Sequence, residues 1–236
     1  MNRNINAMLL VLATTAIVQP ARADWSGKAE LGASMATGNS DNQSANGAFE
    51  VTYKRDKWEN ALGFMGNYGN DGDTTTAQRW EVRGQTNYSF TERAYWFGAG
   101  RYDDDRFSAY DYQASLATGL GYKFFDTEET KLWVQGGPGY RITKERETGD
   151  RNDGVIFRGN IGFEKQITET TQIVNLFLLE TGSDNTYLQN NLGLVVKISG
   201  SLGLRVGYEV RHNTNVPSGI DKTDTLTTIG LQYETK

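Results

Sequence analysis

The chain offers few starting points for bond-making chemistry: one histidine, His212, and no cysteine in 236 residues. A histidine near a hydroxyl is the base of a Ser/His hydrolase. His212 stands beside Asn213 and Asn215, but no serine keeps a recognisable spacing to it. Three consecutive acids, Asp103-Asp-Asp105, carry the hard oxygen ligands that calcium takes. On an extended chain they point alternately, so they make a poor cage and read as a solvated loop. Neither a thiolate set, a metal-spaced histidine pair nor a glycine-rich phosphate loop is present. The expectation is no catalytic residue, no metal and no cofactor. What remains are two charge clusters, Arg79-Glu81-Arg83 and Arg205-Glu209-Arg211. Alternate residues of a strand share one face, so each cluster presents charges of both signs together. Their chemistry is pairing and selection of charge.

The elements that position those clusters are strands. Read every second residue from Tyr110, the chain gives Tyr110, Tyr112, Ala114, Leu116, Thr118, Leu120, Tyr122 and Phe124. Asp111, Gln113, Ser115, Ala117, Gly119, Gly121 and Lys123 interleave with them. After a polar connection, Asp126 to Thr130, the alternation resumes from Leu132 to Ile142, which predicts a long antiparallel hairpin. Tyr112 and Tyr122 lie ten residues apart on the apolar face, and Trp58 and Tyr68 repeat that spacing. At the rise of a tilted barrel strand this separation projects to about 25 Å, the apolar band between the aromatic girdles of an outer-membrane barrel. The apolar face therefore reads as lipid-facing.

The same two-residue period extends from Trp25 to Tyr233 and predicts about twelve strands, an all-β, transmembrane antiparallel up-and-down β-barrel. Arg205 is expected in the lumen and Val206 against lipid. Two strands, Ala94 to Tyr102 and Gln172 to Thr181, stay ambiguous in facing because apolar residues fall on both faces. Even-numbered connections such as Arg55-Asp-Lys57 and Ser199-Gly-Ser201 are terse. The odd ones include the longer Lys144–Asp153 and Asn213–Lys222 segments, so both termini are expected on the periplasmic side. Pro138, within Gly136-Gly-Pro-Gly139, suggests a bulge or kink.

Residues Met1 to Ala23 read as a secretory signal peptide, with Arg3, an apolar run from Ala7 to Val18 and the cleavage site Ala21-Arg22-Ala23. Residues 24–236 are then the barrel, in the outer membrane of a Gram-negative envelope. The net charge of -5 argues against a nucleic-acid partner. A mean hydropathy of -0.58 excludes a helical membrane protein but not a barrel, whose lumen is polar. The expected surroundings are outer-membrane lipids, lipopolysaccharide and the assembly machinery, with small solutes or ions inside.

At Trp25-Ser-Gly27, Thr37-Gly-Asn-Ser40, Asp105-Arg-Phe107, Gly119-Leu-Gly-Tyr122 and Gly137-Pro-Gly-Tyr-Arg141, the chain resembles the YdiY-like family of salt-induced outer-membrane proteins, a domain of unknown function. The resemblance covers nearly the whole chain after residue 23. It implies a secreted outer-membrane β-barrel with nothing catalytic, and it supplies no functional residues. The chain departs from the general barrel signature by ending Tyr233-Glu-Thr-Lys236, without a terminal aromatic residue.

Three functions follow for testing: a narrow channel, a stress-related structural barrel with a filled lumen, and an outer-membrane lipid hydrolase resting on His212. For the channel, twelve inward bases, including Arg141 and Arg158, face nine inward acids. That small basic excess predicts weak anion preference, with Arg79, Glu81, Arg83, Arg205, Glu209 and Arg211 lining the constriction.

Overall fold

The computed structural model describes residues 24–37, 42–71 and 73–235. The expected signal peptide, residues 1–23, lies outside the described residues. Twelve strands follow in order: β1 (Asp24–Thr37), β2 (Asn42–Arg55), β3 (Trp58–Asp71), β4 (Thr74–Ser89), β5 (Ala94–Asp105), β6 (Tyr110–Asp126), β7 (Thr130–Glu145), β8 (Arg151–Gln166), β9 (Thr171–Gly182), β10 (Thr186–Ser199), β11 (Leu202–Asn213) and β12 (Thr223–Thr235). Each pairs antiparallel with its neighbours in sequence, and β1 pairs β12, from Gly27↔Thr235 to Thr37↔Thr225, to close the barrel. Closure leaves no unpaired sheet edge, which is what permits strands to cross a bilayer.

The outer wall is apolar and bounded by aromatic residues. Leu31, Leu62, Leu116, Leu120, Leu194, Val206 and Ile229 are exposed along its middle. Toward one end Trp25 meets Tyr53 and Trp58 meets Tyr88, with ring centroids 4.7 and 4.9 Å apart. Toward the other, Trp80 stacks on Tyr102 and Tyr102 on Tyr112. These are the two girdles that the ten-residue spacing implies. The first end, which also holds Asp24 and Thr235, is here termed the turn end; the opposite one is the loop end. Two turn-end connections are of only two residues, Asp56-Lys57 and Gly200-Ser201; Asp56 has φ +54° and Gly200 φ +52°, a left-handed conformation that glycine favours, aspartate tolerates and a two-residue hairpin needs.

Several expectations are corrected by the register. Tyr110 does not share the outer face with Tyr112: an irregularity between Tyr110 and Tyr112 inserts Asp111, and Tyr110 turns into the protein, where its hydroxyl donates to the Asn215 carbonyl at 3.1 Å. Asp103 to Asp105 are not a loop but the end of β5. Half of the segment Lys144–Asp153 is strand, residues 146–150 alone connecting β7 to β8, so the longer loop is the one before β12. Nor is Pro138 at a bulge. The β7–β8 ladder runs through Pro138↔Phe157 without a shift, while the β6–β7 ladder skips Pro138 and Gly137 and resumes in the same register. The two strands approach so closely there that a Cβ on Gly137 would lie 2.1 Å from the Thr118 carbonyl oxygen. Glycine is required by that approach, and the missing proline N–H is absorbed by it.

Facing in the two ambiguous strands is also resolved. In β5, Tyr95, Phe97, Ala99, Arg101, Asp103 and Asp105 are buried inward, and Trp96 and Tyr102 face out. In β9, Leu178 and Glu180 are buried inward. Tyr95, Phe97, Ala99 and Ala117 form an apolar cluster inside the barrel rather than on its wall.

Candidate functional site

The lumen toward the loop end is crossed by a belt of buried ion pairs. Arg79 of β4 reaches Asp103 of β5 at 2.8 Å, Glu209 of β11 at 2.8 Å and its own neighbour Glu81 at 3.3 Å. Arg101 of β5 lies 3.6 Å from Glu81 and 3.4 Å from Glu180 of β9, and its guanidinium sits 4.5 Å above the centre of the Tyr187 ring. Glu180 is fully buried; it accepts from Arg158 at 3.0 Å and from the Ser115 hydroxyl at 2.7 Å, and Arg141 donates to its carbonyl. Arg211 pairs with Asp105 at 2.9 Å and with Glu209 at 3.4 Å. β4 and β11, and β5 and β11, stand on opposed arcs of the twelve-strand ring. Contacts between them therefore bridge the bore rather than run along the wall.

The innermost charges of the belt balance. Its bases are Arg79, Arg101, Arg141, Arg158 and Arg211, and its most buried acids are Glu81, Asp103, Asp105, Glu180 and Glu209; Asp184, 3.0 Å from Arg141, and Asp224, 4.0 Å from Arg211, stand at its more exposed margin. Removing charges from water carries a large penalty, which mutual pairing offsets only when the geometry is good. Arginine suits that requirement because its planar fork engages several carboxylates at once. The belt does not use all its hydrogen-bonding capacity: among the described residues, Nε and Nη1 of Arg101, Nε of Arg141, the Tyr187 hydroxyl and Oε1 of Gln113 are buried without a hydrogen-bond partner.

Toward the turn end the lumen widens. Below the belt, Tyr95 donates to Gln135, Gln135 and Gln85 hydrogen-bond side chain to side chain, and Gln85 reaches Asn87. Two adjoining cavities of about 190 and 330 Å³ follow, reaching the belt at Glu81 and sharing Glu50, Arg83, Trp133, Leu176, Gln189 and Asn191 in their linings. At the mouth, more exposed pairs ring the opening: Lys28–Glu234, Lys54–Glu59 and Lys131–Glu164.

The six residues singled out from the sequence divide between these levels. Arg79, Glu81, Glu209 and Arg211 come together in the belt. Arg83 and Arg205 do not: Arg83 lies in the wider half, loosely paired with Glu50 at 3.7 Å, and Arg205 pairs with Glu30 at 2.6 Å. Sequence reasoning missed Arg101 and Glu180, on the two strands of ambiguous facing, and placed Asp103 and Asp105 in a solvated loop rather than in the lumen. A signal was there. Arg101, Asp103 and Asp105 alternate, and Glu180 is the only charged residue between Thr171 and Gly182; a charge disfavours lipid, so each marks the inward face. His212 meets Thr223 of β12, its Nδ1 2.8 Å from the threonine hydroxyl. Among the described residues no group of three or more His, Cys, Asp or Glu side chains is placed to hold a metal ion.

Residues 29–234 match the family described as "Protein of unknown function, DUF481". The chain belongs to this family. DUF481 thus spans the barrel almost from the start of β1 to the end of β12. The chain is also similar to the uncharacterized protein YdiY of Escherichia coli (strain K12), 27% identical over 180 residues, covering 75% of this chain and 68% of that one. Among solved structures, the NanC porin superposes with a TM-score of 0.58 at 11% identity, over 87% of this chain and 98% of that chain. At that identity the likeness is one of fold, and the fold is that of an outer-membrane β-barrel of the envelope. Neither relative is named for an enzymatic activity.

Proposed function

We propose that this DUF481 protein is a narrow outer-membrane channel for small ions or solutes, held nearly closed by the charge belt. The observation that carries the reading is a bore crossed by paired charges with hydrogen-bonding capacity to spare. A barrel needing only a solid interior gains little from such pairs, since apolar residues of similar size fill space at equal or lower free-energy cost. Charges in a bore become useful when ions or water pass, because each pair exchanges a partner for a hydrated ion. The NanC porin, of the same fold, bears the name of a channel protein. On this reading the outer wall meets outer-membrane lipids and lipopolysaccharide, and the assembly machinery inserts the chain after cleavage near Ala23.

A second reading is a stress-related envelope protein of the salt-induced type, with a filled lumen and no flux. It is favoured by the near-complete burial of Arg79, Arg141 and Glu180 and by the Phe97 cluster inside the bore. Reversal potentials of the refolded protein in a salt gradient separate the two. The channel reading expects small conductance with weak anion preference, reduced in Arg83→Ala, and larger conductance in Arg211→Ala, which breaks the pairs to Asp105 and Glu209. Silence in the wild type and in both variants supports the filled barrel. Large, unselective conductance unaffected by either change overturns both readings.

A further inference from the structure

The wider half of the lumen carries a second feature that neither the belt nor the wall explains. Of the five tryptophans, Trp25, Trp58 and Trp80 are exposed on the outer wall, and Trp96 faces out to donate to the Thr118 hydroxyl. Trp133 alone turns inward, where it lines both turn-end cavities. Its place is made by Gly162 across the β7–β8 ladder: a Cβ there would fall 2.2 Å from the indole ring. Leu176 of β9 extends this apolar surface, with Asn191 and Gln189 of β10 beside it on the next strand, and Arg83 of β4 and Glu50 of β2 line the cavities from across the ring. The indole N–H has no partner among the described residues, although a tryptophan placed inside a protein usually finds one.

We propose that this vestibule binds a neutral polyhydroxylated solute of about monosaccharide size, seated on Trp133. Together the cavities reach the size range of small-molecule sites, which starts at about 300 Å³. An apolar surface edged by amides and faced by paired charges suits a ligand with a C–H face and a rim of hydroxyls. A hydroxyl both donates and accepts, so it satisfies amides and paired charges alike. The charges lining the two cavities nearly balance, six acids against five bases, which favours a neutral ligand; of these, Arg83 and Glu50 face each other at 3.7 Å and remain 46% and 40% exposed, so both can hydrogen-bond to it. Lys28, Glu164 and Gln172 in the same lining lead to the turn-end mouth, so a solute enters from that side with the belt closed. The site therefore stands whether or not the barrel conducts.

The test is a fluorescence titration of the full mature barrel, refolded in detergent, with D-glucose. Because Trp133 is the one lumenal tryptophan, a saturable change of emission with a midpoint of about millimolar is expected, together with protection from iodide quenching. Trp133→Phe should lose the optical change while keeping binding, read by ligand-observed NMR, within a few-fold. Trp133→Ala should weaken that NMR-detected binding about tenfold. Should Trp133→Ala fail to refold, Asn191→Leu takes its place: it keeps the indole and is expected to weaken binding while leaving the unliganded spectrum unchanged. Gluconate and glucosamine, the charged counterparts, should bind less well than glucose. No saturable change with glucose up to about 100-fold above that midpoint, tighter binding of either charged sugar, or equal binding in wild type, Trp133→Ala and Asn191→Leu would overturn the proposal.

Discussion

Replacing Glu180 by glutamine removes one negative charge from the belt while keeping nearly the same shape and a hydrogen bond to Ser115. In the wild type the carboxylate faces Arg158 at 3.0 Å and Arg101 at 3.4 Å and has no exposed surface. The substitution leaves five arginines against four acids among the innermost charges, and breaking a buried pair from one side costs about 3–5 kcal/mol. The control is Glu59→Gln at the turn-end mouth. Its partner Lys54 is 2.9 Å away, but the two side chains are 36% and 58% exposed, and such a pair is worth under about 1 kcal/mol. Urea unfolding in phospholipid vesicles, followed by tryptophan emission, measures both. The double change Glu180→Gln with Arg158→Gln restores neutrality and should recover part of the loss, giving a coupling of about 0.5–3 kcal/mol. A Glu180→Gln cost no larger than that of Glu59→Gln would mean the belt is hydrated and its charges are not held by one another.

The wall and the interior make further predictions by the same assay. Val206→Arg should cost about 2–4 kcal/mol near the bilayer midplane, whereas Arg205→Lys, facing Glu30 in the lumen, should be much milder. Phe97→Ala should cost about 3–5 kcal/mol, because Phe97 is fully buried inside the barrel with Tyr95 and Ala117. Gly137→Ala places a methyl against the Thr118 carbonyl and should cost at least about 1–3 kcal/mol, visible also as a lower thermal unfolding midpoint.

The strand pattern was legible because lipid and lumen impose opposite polarity on alternate residues, and ten of the strands obey it plainly. It failed where the lumen itself is apolar. Tyr95, Phe97, Leu176 and Leu178 fill the bore, so β5 and β9 carry apolar residues on both faces and hydropathy alone loses their direction. The centre of the charge belt sits on those same strands; Arg101 and Glu180 went unnoticed with it, and Asp103 and Asp105 pass in the sequence for a solvated loop. Tyr110 misled for a local reason: one inserted residue, Asp111, reverses the facing that strict alternation assigns. At Pro138 the glycines were correctly taken as a sign of unusual backbone, but close approach and a bulge share that signature. Which partners Arg79 chooses was beyond reach of spacing, because Glu209 lies 130 residues away on the far arc of the ring.

Planar-bilayer conductance of the refolded wild type beside Arg211→Ala tests the central claim most directly, namely that paired charges close the bore at its loop end. Arg211 joins Asp105 of β5 to Glu209 of β11, so its removal opens one bridge across the lumen without touching the lipid-facing wall. The account predicts a wild type with small, infrequent conductance steps and a variant whose steps are larger and more frequent. A wild type that conducts steadily like a wide porin, with Arg211→Ala indistinguishable from it, would contradict the account.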